Sequence, residues 1–561
     1  MYKSIFAFFS LLGCICIIAI PVFSAPDTGA KDKKVVMVIA DYLDIKDIRS
    51  MEFMERLTAV SHSALISNRQ PGKASAGKSK LIIGTGKRLE LDRDMVSGGG
   101  EESLLRQYRM VSGKIPAGGS LVYTDINRLR LRNGNSEYRD YIGYIGEAVN
   151  INGGSTCFLG NADTSEPDRS SMLAAMDASG IVDLGATLGI LTEDELFPYG
   201  KRTDYKRLAE LYKQYLPASS FIVIETGDMA RLEAFRGSMS EEAFLSCRRT
   251  VLESIDSFME ALAASGGFDT LIFISTYPAG HEAERNNRLT PLIVYGAEAG
   301  GLLYSENTRR EGIVLNTDLA GFIEWKLGYS VSGEIKEISR ESPLDFLEIN
   351  SEEAARVSRL RTPVLTAYAI MSIVAMLLLF AAAAFCTKPR SALVSGAGRI
   401  IAYSILAFPF AFLFMSGIYA GDNPAGYISA SAAVAIPTAV FTHFVLKDRV
   451  KGAFFICMLL FGGLVLDMLA GGHCIKQSVL GYDPEIGARF YGIGNEYAGM
   501  FIGSSLAAYG SLQELAGRLY GRAVTVLFYA ACTLLLGAAF LGANFGGALA
   551  GAAGYMLAYS V

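Results

Sequence analysis

Lys33-Lys34-Val35-Val36-Met37-Val38-Ile39-Ala40-Asp41 is an unbroken apolar run entered by two lysines and closed by a carboxylate. A strand with one wet face alternates apolar and polar residues; a run without alternation predicts a strand covered on both faces, as in a parallel sheet. Residues 220–225, 270–275 and 291–295 repeat the pattern, and helical periodicity fills the intervals, most clearly over 241–264. Alternating strands and helices over 35–350 predict an α/β domain, a mostly parallel sheet sandwiched by helices. In such sheets sites form at the carboxyl ends of strands. Asp41, Asp228 and the pair Thr276-Tyr277 all fall there.

Outward from that domain the composition changes. The chain has 561 residues, 51% of them hydrophobic, more than one soluble core of this size carries. The excess lies beyond Pro363, where long apolar stretches alternate with short polar loops. About 20 apolar residues cross a bilayer core, and 363–561 holds about seven such stretches: 363–385, 400–419, 428–445, 453–470, 497–512, 524–541 and 545–561. The last ends without a polar tail, which fits a chain continuing beyond Val561. At the other end, Lys3 precedes an apolar run and the small residues around Ser24, so residues 1–24 form a signal peptide or an N-terminal anchor.

Loop charge sets the orientation. Lys388, Arg390 and Arg399 follow the first stretch, Lys447, Arg449 and Lys451 the third, and Arg518 and Arg522 the fifth, whereas 421–427 has neither Lys nor Arg. Positive loops stay in the cytoplasm. A multi-pass protein of the cell membrane with residues 35–350 extracytoplasmic follows, as the leader also requires. There is no CxxC pair and no basic stripe interleaved with aromatics, which excludes a zinc ribbon and leaves no case for nucleic acid. Cys157 and Cys247 could form a disulfide, although their spacing does not demand one.

The order of motifs in 35–330 resembles the alkaline-phosphatase superfamily, with its phosphodiesterase, sulfatase and phosphoglycerate mutase branches. The resemblance implies that Asp41 is a metal-binding aspartate at the first strand end and Ser75 a nucleophile, with Ser79 second, ahead of Leu81-Ile82-Ile83-Gly84-Thr85-Gly86. It makes Asp228 a further acidic ligand and matches Thr290-Pro291-Leu292-Ile293-Val294-Tyr295-Gly296 to the strand that shortly follows a last ligand histidine. Where the superfamily has Ser-Asp-His-Gly, this chain has Ser275-Thr276-Tyr277-Pro278, and the domain holds only His62 and His281. A two-metal site uses about three histidines with several carboxylates, so the expectation is at most one divalent ion, on Asp41, Asp228 and His281, with none favoured. Lys73, Lys78, Lys87 and Arg88 make either a solvated basic loop or an anion site. Gly77-Lys78-Ser79 mimics only the end of a P-loop.

In the membrane half, the segment from Gly481 to Tyr497 mixes charges, aromatics and glycines beside the bilayer. Ionisable groups there usually mark a site, and guanidinium binds phosphate bidentately. Asp467, Asp483, Arg489, Asn495, Glu496 and Asn544 are therefore expected to converge on one outer pocket for a membrane lipid or lipid-linked phosphate. A structural re-entrant turn with an Arg–carboxylate pair is the alternative. This half resembles bacterial polytopic membrane proteins of unassigned activity that carry Arg-Phe-Tyr-Gly-x-Gly-Asn, here Arg489–Asn495, and a later Gly-Ala-Asn-Phe-Gly-Gly, here Gly542–Gly547. Three functions remain open. They are an envelope enzyme acting on a phosphorylated or lipid-linked substrate, a phosphatase-like module without metals that binds an envelope protein partner, and a transporter with an exported receptor domain.

Overall fold

Val35–Ile39 forms β1, with all five residues buried. In this computed structural model, which describes residues 33–296, 300–330, 333–385, 392–487, 489–516 and 521–560, β1 lies at the heart of a ten-stranded sheet. The leader, Lys388, Arg390 and Arg518 fall outside the described residues. The other strands are β2 (His62–Ser67), β3 (Thr156–Gly160), β4 (Leu184–Ala186), β5 (Phe221–Glu225), β6 (Thr270–Ile274), β7 (Thr290–Tyr295), β8 (Gly301–Ser305), β9 (Ile313–Leu315) and β10 (Ile335–Ser339). Their order is β10-β8-β2-β7-β6-β1-β5-β3-β4, with β9 beside β2.

β1 pairs in parallel with both β5 and β6, Ile39 facing Glu225 on one side and Ile274 on the other. Only β7 and β10 run antiparallel to their neighbours. Alternate residues of each central strand feed separate cores: Val35, Met37 and Ile39 point to one face, Val36 and Val38 to the other. Helix α1 (Ala76–Thr85) covers the first face, and α2 (Glu241–Ser265) the second. The sheet is thus covered on both sides, which is why its strands carry no polar alternation.

The two halves are joined by a continuous helix. α3 runs from Pro343 to Phe385, through Pro363, so the compositional boundary falls inside one element. Proline removes one ladder bond without forcing the helix to stop, and the apolar run beyond it keeps the helix going. α4 (Ala392–Met415), α5 (Pro424–Phe441), α6 (Arg449–Leu469), the short α7 (His473–Gln477), α8 (Asn495–Leu515), α9 (Arg522–Gly537) and α10 (Phe545–Ser560) follow. Among the described residues, four segments are long and apolar enough to cross a membrane: 343–384, 396–415, 424–446 and 449–469. Arg399 donates to the Lys447 carbonyl at one end of the bundle. At the other, Arg359 pairs with Asp422 and donates to the Arg285 carbonyl, tying loop 421–423 to the α/β domain.

The loop between α7 and α8 leaves the bundle and enters the α/β domain. Phe490 is 4% exposed and belongs to the second core of that domain. The Pro484 carbonyl accepts from Ser67 Oγ at the carboxyl end of β2, and the Glu485 carboxylate accepts from the Arg288 amide. Gly487, at φ +68, passes so close that a Cβ would lie 2.8 Å from Ser67 Oγ. Here the left-handed backbone and the tight approach together require glycine.

Candidate functional site

The carboxyl ends of β1 and β5 hold two buried carboxylates, Asp41 and Glu225, and α1 projects a lysine between them. Lys80 Nζ lies 3.0 Å from Asp41 Oδ2 and 2.7 Å from Glu225 Oε1, with all three side chains at most 3% exposed. Ser170 Oγ accepts from the same ammonium at 3.3 Å. The other Asp41 oxygen accepts from the Thr276 amide at 2.8 Å and from its hydroxyl at 2.5 Å. Burial works against a charged Lys80, but Asp41 and then Glu225 outweigh it and hold the ammonium above its ordinary value. The arrangement is a buried cation shared by two anions.

Asp228 begins the helix Asp228–Phe235 after β5 and is fully buried. Its Oδ1 accepts from the Thr203 amide and from Arg231 Nη2, both at 2.8 Å, and Arg231 is itself fully buried. The Arg at this position neutralises the carboxylate from one turn along the same helix. Ser75 is the N-cap of α1, accepting from the Lys78 amide. Lys78 is tied down by Glu90 at 2.7 Å and by the Pro71 and Lys73 carbonyls.

The structure does not gather Asp41, Asp228 and His281 into one metal site, because the two aspartates are held by Lys80 and Arg231 respectively. A divalent ion on Asp41 and Glu225 would have to displace a buried ammonium, so these carboxylates as arranged do not fit a metal. His281 instead lies with Asp44 and Glu282, whose ligand atoms all fall within 4.8 Å of one another. Burial, followed by Arg248, lowers the His281 imidazole from its ordinary value and favours its neutral form. Asp44 also has a structural task, capping the helix Ile45–Ser50.

The six polar residues of the membrane half have different hydrogen-bond partners: Asp467 lies near the end of α6, Asn544 just before α10, and the other four along 483–496. Asp467 accepts from the Cys474 and Ile475 amides at 2.9 and 2.8 Å and so fixes the start of α7. Asp483 accepts from Ser358 Oγ and the Glu485 amide. Arg489 donates to the Ile493 carbonyl at 3.0 Å, and Asn544 donates to the same carbonyl and to Asn495 Oδ1. Glu496 pairs at 2.6 Å with Arg361, which also binds the Val479 and Gly481 carbonyls. Arg489, Asn495 and Asn544 thus meet around one peptide carbonyl, while Asp467, Asp483 and Glu496 each serve another part of the loop.

Sequence reasoning missed Lys80, Arg310 and Lys476. Their signal is contact across distant segments, which no local pattern carries. Arg310 donates to the Phe490 carbonyl at 3.0 Å and to the Lys476 carbonyl at 3.4 Å, so a residue of the α/β domain is bonded into the membrane loop.

No family model and no curated protein matches the chain. Among solved structures, the lipoteichoic acid synthase LtaP from Listeria monocytogenes is similar at 11% identity and a TM-score of 0.35, over 58% of this chain and 79% of that one. The PH0037 protein from Pyrococcus horikoshii is similar at 10% identity and a TM-score of 0.30, over 55% of this chain and 100% of that one. Neither likeness brings an activity to this chain.

Proposed function

We propose that this is a cell-envelope membrane protein whose phosphatase-like domain is a non-hydrolytic module, held outside the cytoplasm as a fixed cap on the membrane bundle. The observation that carries this is Lys80. Its ammonium sits where two strand-end carboxylates would otherwise be free to hold a catalytic ion, and removing a charge from such a buried set costs several kcal/mol. Arg231 supports the reading by neutralising Asp228 in the same way. The membrane loop supports it too, since Phe490 and Pro484 dock at the domain instead of leaving it as a mobile catalytic head. The outside placement rests on the basic residues Arg399, Lys447, Arg449 and Lys451 lying at the bundle end away from the domain.

A metal-enzyme reading draws on Asp44, His281 and Glu282. One experiment decides between them. The full chain, purified in detergent, is supplied with Mn²⁺ or Zn²⁺ and assayed on p-nitrophenyl phosphate and bis(p-nitrophenyl) phosphate. The module reading expects background rates, unchanged in His281→Ala. Metal-dependent turnover that disappears in His281→Ala or Asp41→Asn would overturn it.

A further inference from the structure

A cavity of about 410 Å³ lies between the α/β domain, the domain-side part of α3, and α7. That volume is in the range of small-ligand sites, about 300–1,000 Å³. Its walls carry Arg309 and Arg310 from the β8–β9 connection, Arg356 from α3, and His473 and Lys476 from α7. Two acids also line it, each with its own partner: Glu311 pairs with Arg340 at 2.7 Å, and Glu353 accepts from the amide of Gln477, itself part of the wall.

The cations have no such partners. Among the described residues no carboxylate lies within 4 Å of Arg309, Arg310, Arg356 or Lys476. Arg309 donates to the Ala539 carbonyl and stacks over Tyr491 at 4.2 Å, and Arg310 uses its donors on backbone carbonyls. Carbonyl bonds orient a guanidinium without neutralising it, and the acids that act on these cations, Asp483 on Arg310 and Asp467 on Lys476, do so from beyond ion-pair distance. Burial pulls Arg310 down to about 10 and, with Arg310 itself as the second cause, also lowers Lys476. An anion bound among cations crowded in this way would favour their charged forms.

Position narrows the anion. Arg356 lies on α3 ahead of the apolar run that begins after Pro363, and α7 follows directly on α6 as that helix leaves its apolar segment. The cavity is therefore at headgroup height on the domain side of the bundle, beside apolar lining from Phe346, Ala354 and Val357.

We propose that this cavity binds a phosphate group, carried by the headgroup of an anionic lipid in the leaflet on the domain side or present as the free ion. Guanidinium groups from two separate elements and a lysine converge there, which suits the several oxygens of a phosphate better than a single carboxylate. The inference does not depend on whether the domain hydrolyses anything.

Thermal unfolding of the full chain in detergent tests it, with short-chain phosphatidylglycerol, short-chain phosphatidylcholine, or inorganic phosphate against chloride of equal ionic strength as the added probe. Phosphatidylglycerol is expected to raise Tm saturably, and phosphatidylcholine is not. Arg356→Gln combined with Lys476→Gln should weaken the phosphatidylglycerol response by about tenfold or more in concentration. Arg109→Gln, an exposed charge on a distant helix, should leave it unchanged. A matching shift from inorganic phosphate alone would identify the free ion as the source, and a shift with the lipid only would identify the headgroup. The proposal fails if neither probe shifts Tm, if phosphatidylcholine works equally, or if the double variant responds like the parent. Arg310 is left intact because it also holds Phe490 in place.

Discussion

Asp41 shows what a single residue discloses in sequence and what it withholds. Its place at the end of an apolar run is legible, and β1 ends at Ile39, two residues ahead of it. What the carboxylate does there is not legible, because its partner is on α1 and the third member of the set, Glu225, is on β5. Nothing in local spacing announces that α1 will lay Lys80 across the strand ends. The same holds for Asp228, whose neutralising Arg231 is visible in the sequence only once the turn joining them is known to be helical. A buried ion set of this kind behaves asymmetrically. Replacing all members by neutral groups of similar shape costs little, while removing one leaves a buried charge alone at a cost of about 3–5 kcal/mol. Lys80→Met is therefore expected to lower the unfolding free energy of the full chain by that amount, measured by denaturant titration in detergent. Adding Asp41→Asn and Glu225→Gln to the same chain should restore most of it. Equal destabilisation in the single and triple variants would show that the lysine stem, not its charge, is what the core needs.

Among elements, the loop from Ser478 to Gly494 shows how side-chain partners escape a reading of the sequence. Its glycines, aromatics and charges identify it as special, since such a mixture beside a bilayer has to satisfy backbone groups without water. One shared pocket does not follow from that, because the polar side chains have separate partners: Asp467 the start of α7, Arg489 and Asn544 the Ile493 carbonyl, Asp483 the Ser358 hydroxyl and Glu496 the Arg361 guanidinium. The loop's docking also creates a titrating group. Glu485 is buried against the Arg288 amide, and burial pushes its carboxyl from the ordinary 4.5 to about 8, with the Arg288 amide pulling the other way. In the unfolded chain this group loses its proton near 4.5, so between 4.5 and about 8 the folded state holds the extra proton. Stability from this group is complete below that window and is lost as pH rises through it. The full-chain unfolding free energy should fall between pH 5 and pH 8 by more in the parent than in Glu485→Gln, the difference amounting to a few kcal/mol at most. Parallel pH profiles for the two chains would remove Glu485 as the cause.

At the scale of the whole molecule, the fold and the division into two halves were open to reading because both depend on one-dimensional properties. Strand runs without alternation signal a covered sheet, and apolar stretches signal membrane helices; neither requires knowledge of who touches whom. The mutual placement of the halves does require it, and α3 makes the point. A change of composition at Pro363 reads as a domain boundary, yet one helix passes through it and carries Ser358, Arg359 and Arg361 into contact with the membrane loops. The α/β domain is consequently fixed at the end of the bundle that holds loop 421–423 and the Ala539–Asn544 turn. The opposite end carries Arg399, Lys447 and Lys451, and basic loops are retained in the cytoplasm because moving them across the membrane is unfavourable. If charge and docking act together, β-lactamase fused after Gly421 should confer ampicillin resistance on cells, and the same enzyme fused after Lys451 should not. Resistance from the Lys451 fusion would invert the bundle and put the α/β domain, the Phe490 loop and the basic cavity in the cytoplasm, where the phosphate it binds would come from the inner leaflet or from solution.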